Sequence, residues 1–295
     1  MPLQKQSFCK VNLLLNILGK RPDGFHELET VMQPVALFDE LTLATAASGI
    51  ELTCSEPTLP TDSRNLVYRA AEVFLNTASI KDGVRLHLEK KIPMAAGLGG
   101  GSGNAASTLL GLNELFDNAL EAAELQRIAT SLGSDIPFFL QRGPALATGR
   151  GEQITALTRF PALRGAYFIL VHPGFGISTP WAYLQLQRFP EALNGQRGRA
   201  EKLVNLLQTA ELPEASTAFY NSLEAPTLHK YPLLVLFQEF FRANGAAGTL
   251  MSGSGSTTFA LASNKSEAET LAEKFRAKFG QSYWLALVPA DAELK

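Results

Sequence analysis

The sequence predicts an α+β protein built from two domains. Three observations predict it. The length of 295 residues suits two compact units of ordinary size. Strand-like and helix-like stretches occur in both halves without strict β-α-β alternation, which favours α+β over a doubly wound sheet. A short polar connector around Pro161 offers a boundary near 155–165, so residues 1–160 and 161–295 are the expected domains.

Between residues 8 and 18, Cys9, Val11, Leu13, Leu15 and Ile17 share one parity, with Lys10, Asn12 and Asn16 on the other. Period two means a strand with one face on a core, and it sets Lys10 beside Asn12 on the opposite face. Gly19 to Gly24 reads as a turn. Leu41 and Leu43, then Ile50, Leu52 and Cys54, predict two strands around Ser48-Gly49. Leu66, Ala70, Val73, Phe74 and Thr77 are spaced for a helix, and Val84, Leu86 and Leu88 for a half-buried strand. A glycine-rich loop at 97–103 precedes a helix carrying Ala106, Leu109, Leu110, Asn113 and Leu115; a second helix over about 121–132 stops at Gly133. Thr148 to Gly151 reads as a turn between short strands. The second half opens on the apolar run Tyr167 to Val171. It continues with helices near 199–209 and 232–243, strands near 247–252 and 257–262, a helix near 266–279, and a last strand from Tyr283 to Val288.

Hydrophobic residues at 46% and charged residues at 18% are an ordinary globular balance. A net charge of −2 argues against a nucleic-acid surface, which needs clustered Lys and Arg. The first residues lack the apolar core of a signal peptide, and there is no uncharged apolar run of membrane-spanning length, so a cytoplasmic protein without a membrane span is expected. Cys9 and Cys54 are expected as buried free thiols rather than a disulfide.

Five glycines fall within Gly97 to Gly103. Each gives up about 0.5–1 kcal/mol of backbone entropy relative to Ala, so such a run persists where the chain turns through positive φ or approaches a ligand closely. A helix follows at once, and its first amides and dipole favour an anion. A loop of this kind feeding a helix suits phosphate binding. It is not a Walker A loop, since no Gly-Lys-Ser/Thr follows; the plain alternative is a tight strand-to-helix turn. Asp135, in Gly133-Ser134-Asp135-Ile136-Pro137, reads either as an N-cap acid or as the acceptor of a proton from an attacking hydroxyl. Lys10 reads either as a solvated surface lysine or as a cation that keeps a neighbouring carboxylate ionised and offsets phosphate charge. A glycine loop, an acid, a lysine and Mg²⁺ would suffice for transfer of a γ-phosphoryl group.

Taken together, these motifs resemble the GHMP small-molecule kinases, the superfamily of galactokinase, homoserine kinase and mevalonate kinase. Pro93-x3-Gly97-Leu98-Gly99-Gly100-Gly101-Ser102 is similar to its second motif, and Met251-Ser252-Gly253-Ser254-Gly255-Ser256 to its third. Lys10-Val11-Asn12-Leu13, Pro22 to Leu28 and Gly133 to Phe139 resemble the branch that acts on a cytidyl-diphosphate-linked methylerythritol in the non-mevalonate isoprenoid pathway. The motifs stand in family order from residue 10 to residue 260.

The resemblance implies an N-terminal α+β domain holding the ATP phosphate loop and a ferredoxin-like C-terminal domain on the substrate side, with the active site between them. It implies Asp135 as base and Lys10 as its partner, acting on the tertiary 2-hydroxyl of the methylerythritol unit. ATP and Mg²⁺ are the implied cofactors, with the metal arriving largely hydrated on the nucleotide. Pro93 and the run Gly97, Leu98, Gly99, Gly100, Gly101, Ser102 and Gly103 would cradle the phosphates, Asn65 would lie near the adenine, and Asn12 would contact substrate. His26 would read the cytosine edge, because an imidazole can both donate and accept. Phe25 and Tyr183 would sandwich the ring, with Trp181 a competitor for that place. On residues alone, His26 reads first as a turn histidine bonded to backbone, and the aromatics read first as core packing.

Departures from the family pattern are small: Cys9 stands where Ala is usual, Gly103 where a second Ser is common, and Phe25 where Tyr is common. His87, His172 and His229 show no metal-ligand spacing, so no structural metal is expected. Two alternatives accompany this reading. One is a mevalonate- or homoserine-type kinase, against which Phe25-His26 after Pro22-Asp23-Gly24 speaks. The other is a catalytically silent nucleotide-binding regulator, against which the presence of both Lys10 and Asp135 speaks.

Overall fold

A computed structural model describes residues 2–294 of the chain. It divides into two compact units. The first takes the chain up to Cys9, Leu37–Pro93 and Gly99–Arg142; the second takes Lys10–Ala36, Met94–Leu98 and the chain from Gly143 onward.

Both units draw on two long strands, β1 (Leu3–Lys20) and β2 (His26–Ala46). β2 runs far beyond the Leu41–Leu43 stretch expected from periodicity. Its middle, Val31 to Val35, is buried at every position, and Pro34 interrupts it, so the alternation that marks a half-buried strand is absent there. β1 likewise extends to Lys20, past the start of the expected turn.

In the first unit β3 (Ile50–Cys54) is the next strand, followed by α1 (Leu66–Thr77) and β4 (Gly83–Glu89). β4 pairs parallel with β3 and antiparallel with the end of β2, so Leu86 stands opposite both Leu52 and Leu43. Two further helices, α2 (Gly100–Leu115) and α3 (Ala122–Leu132), pack with α1. α2 lies so close to the sheet that a Cβ at Gly111 would sit 2.9 Å from Leu43 Cδ1. α3 buries Leu125, Ile128, Ala129 and Leu132, the i, i+3, i+4, i+7 stripe of a helix covered on one side. Cys9 is buried as expected, whereas Cys54 is only half-buried because β3 ends there and its sulfur meets the Glu56 amide at 3.4 Å.

The second unit contains the hairpin β5 (Ala145–Gly149) and β6 (Gln153–Ala156), and β5 pairs with Leu28–Met32 of β2. Next comes β7 (Tyr167–His172), then the short helices α4 (Thr179–Gln185) and α5 (Pro190–Leu193), α6 (Arg199–Thr209) and α7 (Leu212–Ser216). β8 (Tyr220–Asn221) lies parallel to β1, with Leu14 opposite Tyr220 and Leu15 opposite Asn221. The chain finishes with α8 (Glu224–Lys230), α9 (Pro232–Ala243), β9 (Gly248–Met251), β10 (Thr258–Ala262), α10 (Lys265–Phe279) and β11 (Trp284–Pro289). Strands β7, β9, β10 and β11 form an antiparallel sheet in the order β11-β7-β10-β9. That is the ferredoxin-like order, with the helices between β7 and β9 inserted into it. The expected helices at 199–209, 232–243 and 266–279 are α6, α9 and α10. The short ones went unread because Pro180, Pro190 and Pro213 sit in their first turns, where proline also signals a loop.

Aromatic rings fill the space between α9, α10 and the sheet. Phe275 stacks on Phe241 at 5.4 Å and meets Phe237 edge-on at 5.0 Å, and all three are fully buried. Among the described residues no helix is long and apolar enough to cross a membrane. Phe275→Ala is expected to cost about 3–5 kcal/mol, because it removes a ring shared by two helices and leaves a cavity. Urea unfolding followed by tryptophan fluorescence measures this; a shift below about 1 kcal/mol would show that the cluster does not hold the unit together.

Candidate active site

The first unit carries the second half of the glycine stretch. Here the structure corrects the expected loop at 97–103, because α2 already starts at Gly100 and Gly99 is its cap, at φ +70°. Gly103 lies inside the helix, and a Cβ there would be 2.6 Å from the Phe8 carbonyl and 3.1 Å from Ser7 Oγ. Its bareness lets the helix press onto β1. At Gly101 the nearest atom to an added Cβ is Leu66 Cδ1 at 3.8 Å, and the residue is exposed, so this part of the helix start is open. No acidic residue stands in the first turn of α2 and no side chain caps it, so the amides of Gly100, Gly101 and Ser102 present the donor end of the helix. That end suits an anion.

A buried carboxylate sets this helix start. Asp39, fully buried, accepts from the Lys91 amide at 2.7 Å and the Ile92 amide at 2.9 Å, just ahead of Pro93. It also accepts from Asn104 Nδ2 at 2.9 Å, within the first turns of α2, and pairs with the Lys90 ammonium. Asn104 Nδ2 also donates to Ser7 Oγ at 3.0 Å. Entry and exit of the glycine stretch are thus tied to one side chain. Sequence reasoning missed Asp39; the signal was an acid on the same parity as Leu37, Leu41 and Leu43, with Glu40 on the other.

Asp135 is half-buried and precedes the 3-10 turn Ile136–Leu140, with Pro137 in its first turn. Its side chain makes no cap hydrogen bond, so the capping reading is corrected: its φ of −81° and ψ of −17° continue the turn instead of opening it. Ile136, Pro137, Phe138 and Phe139 are buried, and Phe139 Cδ1 would be 3.3 Å from a Cβ on Gly103. The residue is therefore mounted on a rigid turn packed against α2. Asn65 is the N-cap of α1: its Oδ1 accepts from the Val67 amide at 2.9 Å and its Nδ2 donates to the Pro60 carbonyl at 2.8 Å.

Lys10, Asn12, Gly97 and Leu98 meet in the second unit. The surface-lysine reading of Lys10 is overturned, since the residue is 3% exposed and Asn12 is 4% exposed. From Ser7 to Ile17 every position of β1 is buried, those on the parity of Lys10 and Asn12 as well as the apolar ones. Lys10 Nζ donates to Asn12 Oδ1 at 2.6 Å and to the Gly97 carbonyl at 2.8 Å, and the Lys10 amide donates to the Leu98 carbonyl at 3.0 Å. Asn12 Nδ2 donates to Thr30 Oγ1 at 2.9 Å, and Thr30 Oγ1 in turn donates to the Leu14 carbonyl at 2.5 Å. Ser252 Oγ donates to the same Gly97 carbonyl at 2.9 Å.

Two of these positions require glycine. Gly97 has φ +76°, and a Cβ there would lie 2.0 Å from the Ser252 carbonyl. Gly253 has φ +56°, and its Cβ would lie 3.0 Å from the Gly97 carbonyl, 3.3 Å from Lys10 Nζ and 3.4 Å from Asn12 Oδ1. The segments 94–98 and 252–256 therefore close on each other with the ammonium beside them. Thr30 and Ser252 were not singled out from sequence, although Ser252 lies within a motif that was.

The aromatic candidates separate. His26 and Tyr183 are neighbours, with ring centroids 5.0 Å apart at 43°. Phe25 is 51% exposed, and the Arg150 guanidinium lies 4.6 Å from its ring centre. Trp181 sits elsewhere, edge-on to Tyr231 at 5.9 Å with Lys230 Nζ 4.2 Å from its ring centre. Two residues apart on α4 means roughly opposite faces, so Tyr183 and not Trp181 stands with His26. Burial, then the charge of Lys20, push the His26 pKa below its ordinary value. The ring is thus held neutral at pH 7, with one nitrogen to donate and one to accept.

The chain matches the model of the GHMP kinases N terminal domain over residues 65–143 and that of the GHMP kinases C terminal over residues 194–281. It is 40% identical over 269 residues to a 4-diphosphocytidyl-2-C-methyl-D-erythritol kinase of Pelotomaculum thermopropionicum, covering 91% of this chain and 92% of the relative. A solved 4-(cytidine 5'-diphospho)-2C-methyl-D-erythritol kinase superposes with a TM-score of 0.80 at 36% identity, covering 97% of this chain and 99% of that one. The homoserine kinase of Cytophaga hutchinsonii superposes with a TM-score of 0.75 at 19% identity, covering 97% and 93%, which is a likeness of fold.

Two outcomes are expected. Gly97→Ala should lower stability by about 2 kcal/mol or more, because the added methyl meets a carbonyl and the positive φ penalises it further; a melting temperature unchanged within 2 °C or so would contradict this close packing. By NMR, His26 should titrate below about 6.5, and Lys20→Gln should move the midpoint up without removing the larger effect of burial. A folded-state pKa below the unfolded one means the unfolded chain binds more protons. This group therefore lowers stability as pH falls from about 6.5 toward the folded midpoint. A midpoint at or above about 6.5 would refute the burial argument.

Proposed function

We propose a function from one premise: the chain belongs to the 4-diphosphocytidyl-2-C-methyl-D-erythritol kinases of the GHMP kinase family. Its reaction is the ATP-dependent phosphorylation of the 2-hydroxyl of 4-diphosphocytidyl-2-C-methyl-D-erythritol, a step toward isoprenoid precursors by the non-mevalonate route. One observation carries this over the homoserine-type reading: 40% identity sustained over 91% of the chain, against 19% for the homoserine kinase with the same fold.

The roles follow from the chemistry of the groups. Asp135 accepts the proton of the 2-hydroxyl as its oxygen bonds to the γ-phosphorus of ATP, and the bond from that phosphorus to the bridging oxygen breaks to release ADP. Lys10 partners this carboxylate and offsets charge on the transferred group; a clamped ammonium suits this, because its direction is set before substrate arrives. Pro93 and Gly97 to Gly103 cradle the phosphates, and the bare amides at the start of α2 support that role. Asn65 lies by the adenine, Asn12 contacts the sugar-alcohol, Phe25 and Tyr183 bracket the cytosine, and the neutral His26 reads its edge. Residues 1–160 serve as the ATP-phosphate domain and 161–295 as the substrate-side domain. Mg²⁺ enters with ATP, largely hydrated. When bound, it neutralises charge on the phosphoryl oxygens.

Offered ATP, Mg²⁺ and the cytidyl substrate, mevalonate or homoserine in parallel, the purified protein should release ADP with the cytidyl substrate alone; equal turnover of homoserine would sink the assignment. Asp135→Asn should lower kcat by at least about 10²-fold while ATP still binds. His26→Ala should raise KM for the cytidyl substrate about tenfold or more and leave KM for ATP unchanged. An equal effect on both substrates would remove His26 from the cytosine.

A further inference from the structure

The loop that closes on Lys10 is itself held from behind. Asn221 is 3% exposed, at the end of β8. Its Nδ2 donates to the Met251 carbonyl at 2.7 Å and to the Gly253 carbonyl at 2.8 Å, while its Oδ1 accepts from the Leu223 amide at 2.9 Å. Three residues on, Glu224 Oε1 accepts from the Met251 amide at 2.8 Å. The peptide groups around residues 251–253 are therefore gripped by one short segment.

That segment is fastened to β1, the strand that carries Lys10 and Asn12. Besides the β8 pairing at Leu14 and Leu15, the Ser222 amide donates to the Leu15 carbonyl at 2.8 Å, and the Ile17 amide donates to Ser222 Oγ at 2.9 Å. Strand, brace and loop form a closed frame. On one side Gly253 abuts Lys10 Nζ, Asn12 Oδ1 and the Gly97 carbonyl; on the other its own carbonyl is tied to Asn221.

We propose that Asn221 is a positioning residue for phosphoryl transfer: by bonding the Met251 and Gly253 carbonyls it fixes the 252–256 loop, and through that loop the direction of the Lys10 ammonium. The idea rests on Lys10 serving the reaction as argued above. Alanine at position 221 leaves two buried carbonyls without their donor and frees the loop to retreat from Lys10. A displacement of about 1 Å at a reacting group can cost on the order of 10²-fold in rate.

The test compares Asn221→Ala, Asn221→Ser and Lys10→Ala with the unsubstituted chain, at a temperature where each is folded by circular dichroism. Steady-state assays give kcat and both KM values. In parallel, acetic anhydride labelling read by peptide mass spectrometry follows the acylation rate of Lys10, with the exposed Lys81 as internal control. Asn221→Ala should lower kcat about 10- to 100-fold with each KM within about threefold, and should raise Lys10 acylation several-fold relative to Lys81. Asn221→Ser, which keeps one short donor, should fall between.

Folded variants with unchanged kcat and unchanged Lys10 labelling overturn the proposal. So does a kcat that merely follows the folded fraction while Lys10 labelling stays put, since that is a stability effect alone. If Lys10→Ala keeps full turnover, the functional reading of Lys10 has failed, independently of what Asn221 does to the loop. Hydrogen exchange on the unsubstituted chain decides the case if neither Asn221 variant folds: segments 220–224 and 251–255 should open together, and free exchange at 251–255 with 220–224 protected overturns the brace.

Discussion

An ammonium buried in β1 needs oxygen atoms around it, and much of the second unit's local architecture answers that need. Taking a cation out of water is expensive unless acceptors replace the lost hydration. Lys10 finds the Gly97 carbonyl and Asn12 Oδ1, each fixed by a further bond: Ser252 donates to the first, and the Asn12 amide group is held through Thr30. Backbone can come this close only where no side chain stands in the way. That requirement accounts for glycine at 97 and at 253, two positions far apart in the chain and both at positive φ.

The glycines of one motif thus have different causes. Gly97 answers to a carbonyl of another loop, Gly99 to a left-handed cap, and Gly103 to the close seat of α2 on β1. At Gly101 an added Cβ would meet only Leu66 Cδ1, at an ordinary 3.8 Å, and the residue is exposed, so here bareness faces outward. Five glycines looked like one device for phosphate; they are closer to a scaffold with one bare window.

Much of this was readable from the residues. Regular helices with a clean apolar stripe, such as α1, α3 and α9, announce themselves, and the motifs singled out Asp135, Lys10 and the glycine stretch as candidates. What stayed hidden was hidden for physical reasons. β2 is covered on both faces through its middle and so shows no alternation. Lys10 looks like a surface residue because a strand's polar parity normally faces water, and nothing local reveals that Gly97 and Gly253 will cover it. Asp39 binds groups some 50 to 65 positions away, so its role exists only once the chain has folded. Trp181 and Tyr183 cannot be told apart until the register of α4 is known.

The second unit is assembled from widely spaced stretches of chain, Lys10–Ala36, Met94–Leu98 and the chain from Gly143. Its strand β7 waits for β11, made well after it, and the strand bearing Lys10 waits for β8 about two hundred residues later. Contacts of such long sequence separation form late and slowly. Until those partners are made, the strand bearing Lys10 lacks part of its cover, a window in which a chaperone or an aggregating neighbour competes with the distant segments still to come. The frame that later keeps the ammonium still is also what makes the newborn polypeptide vulnerable.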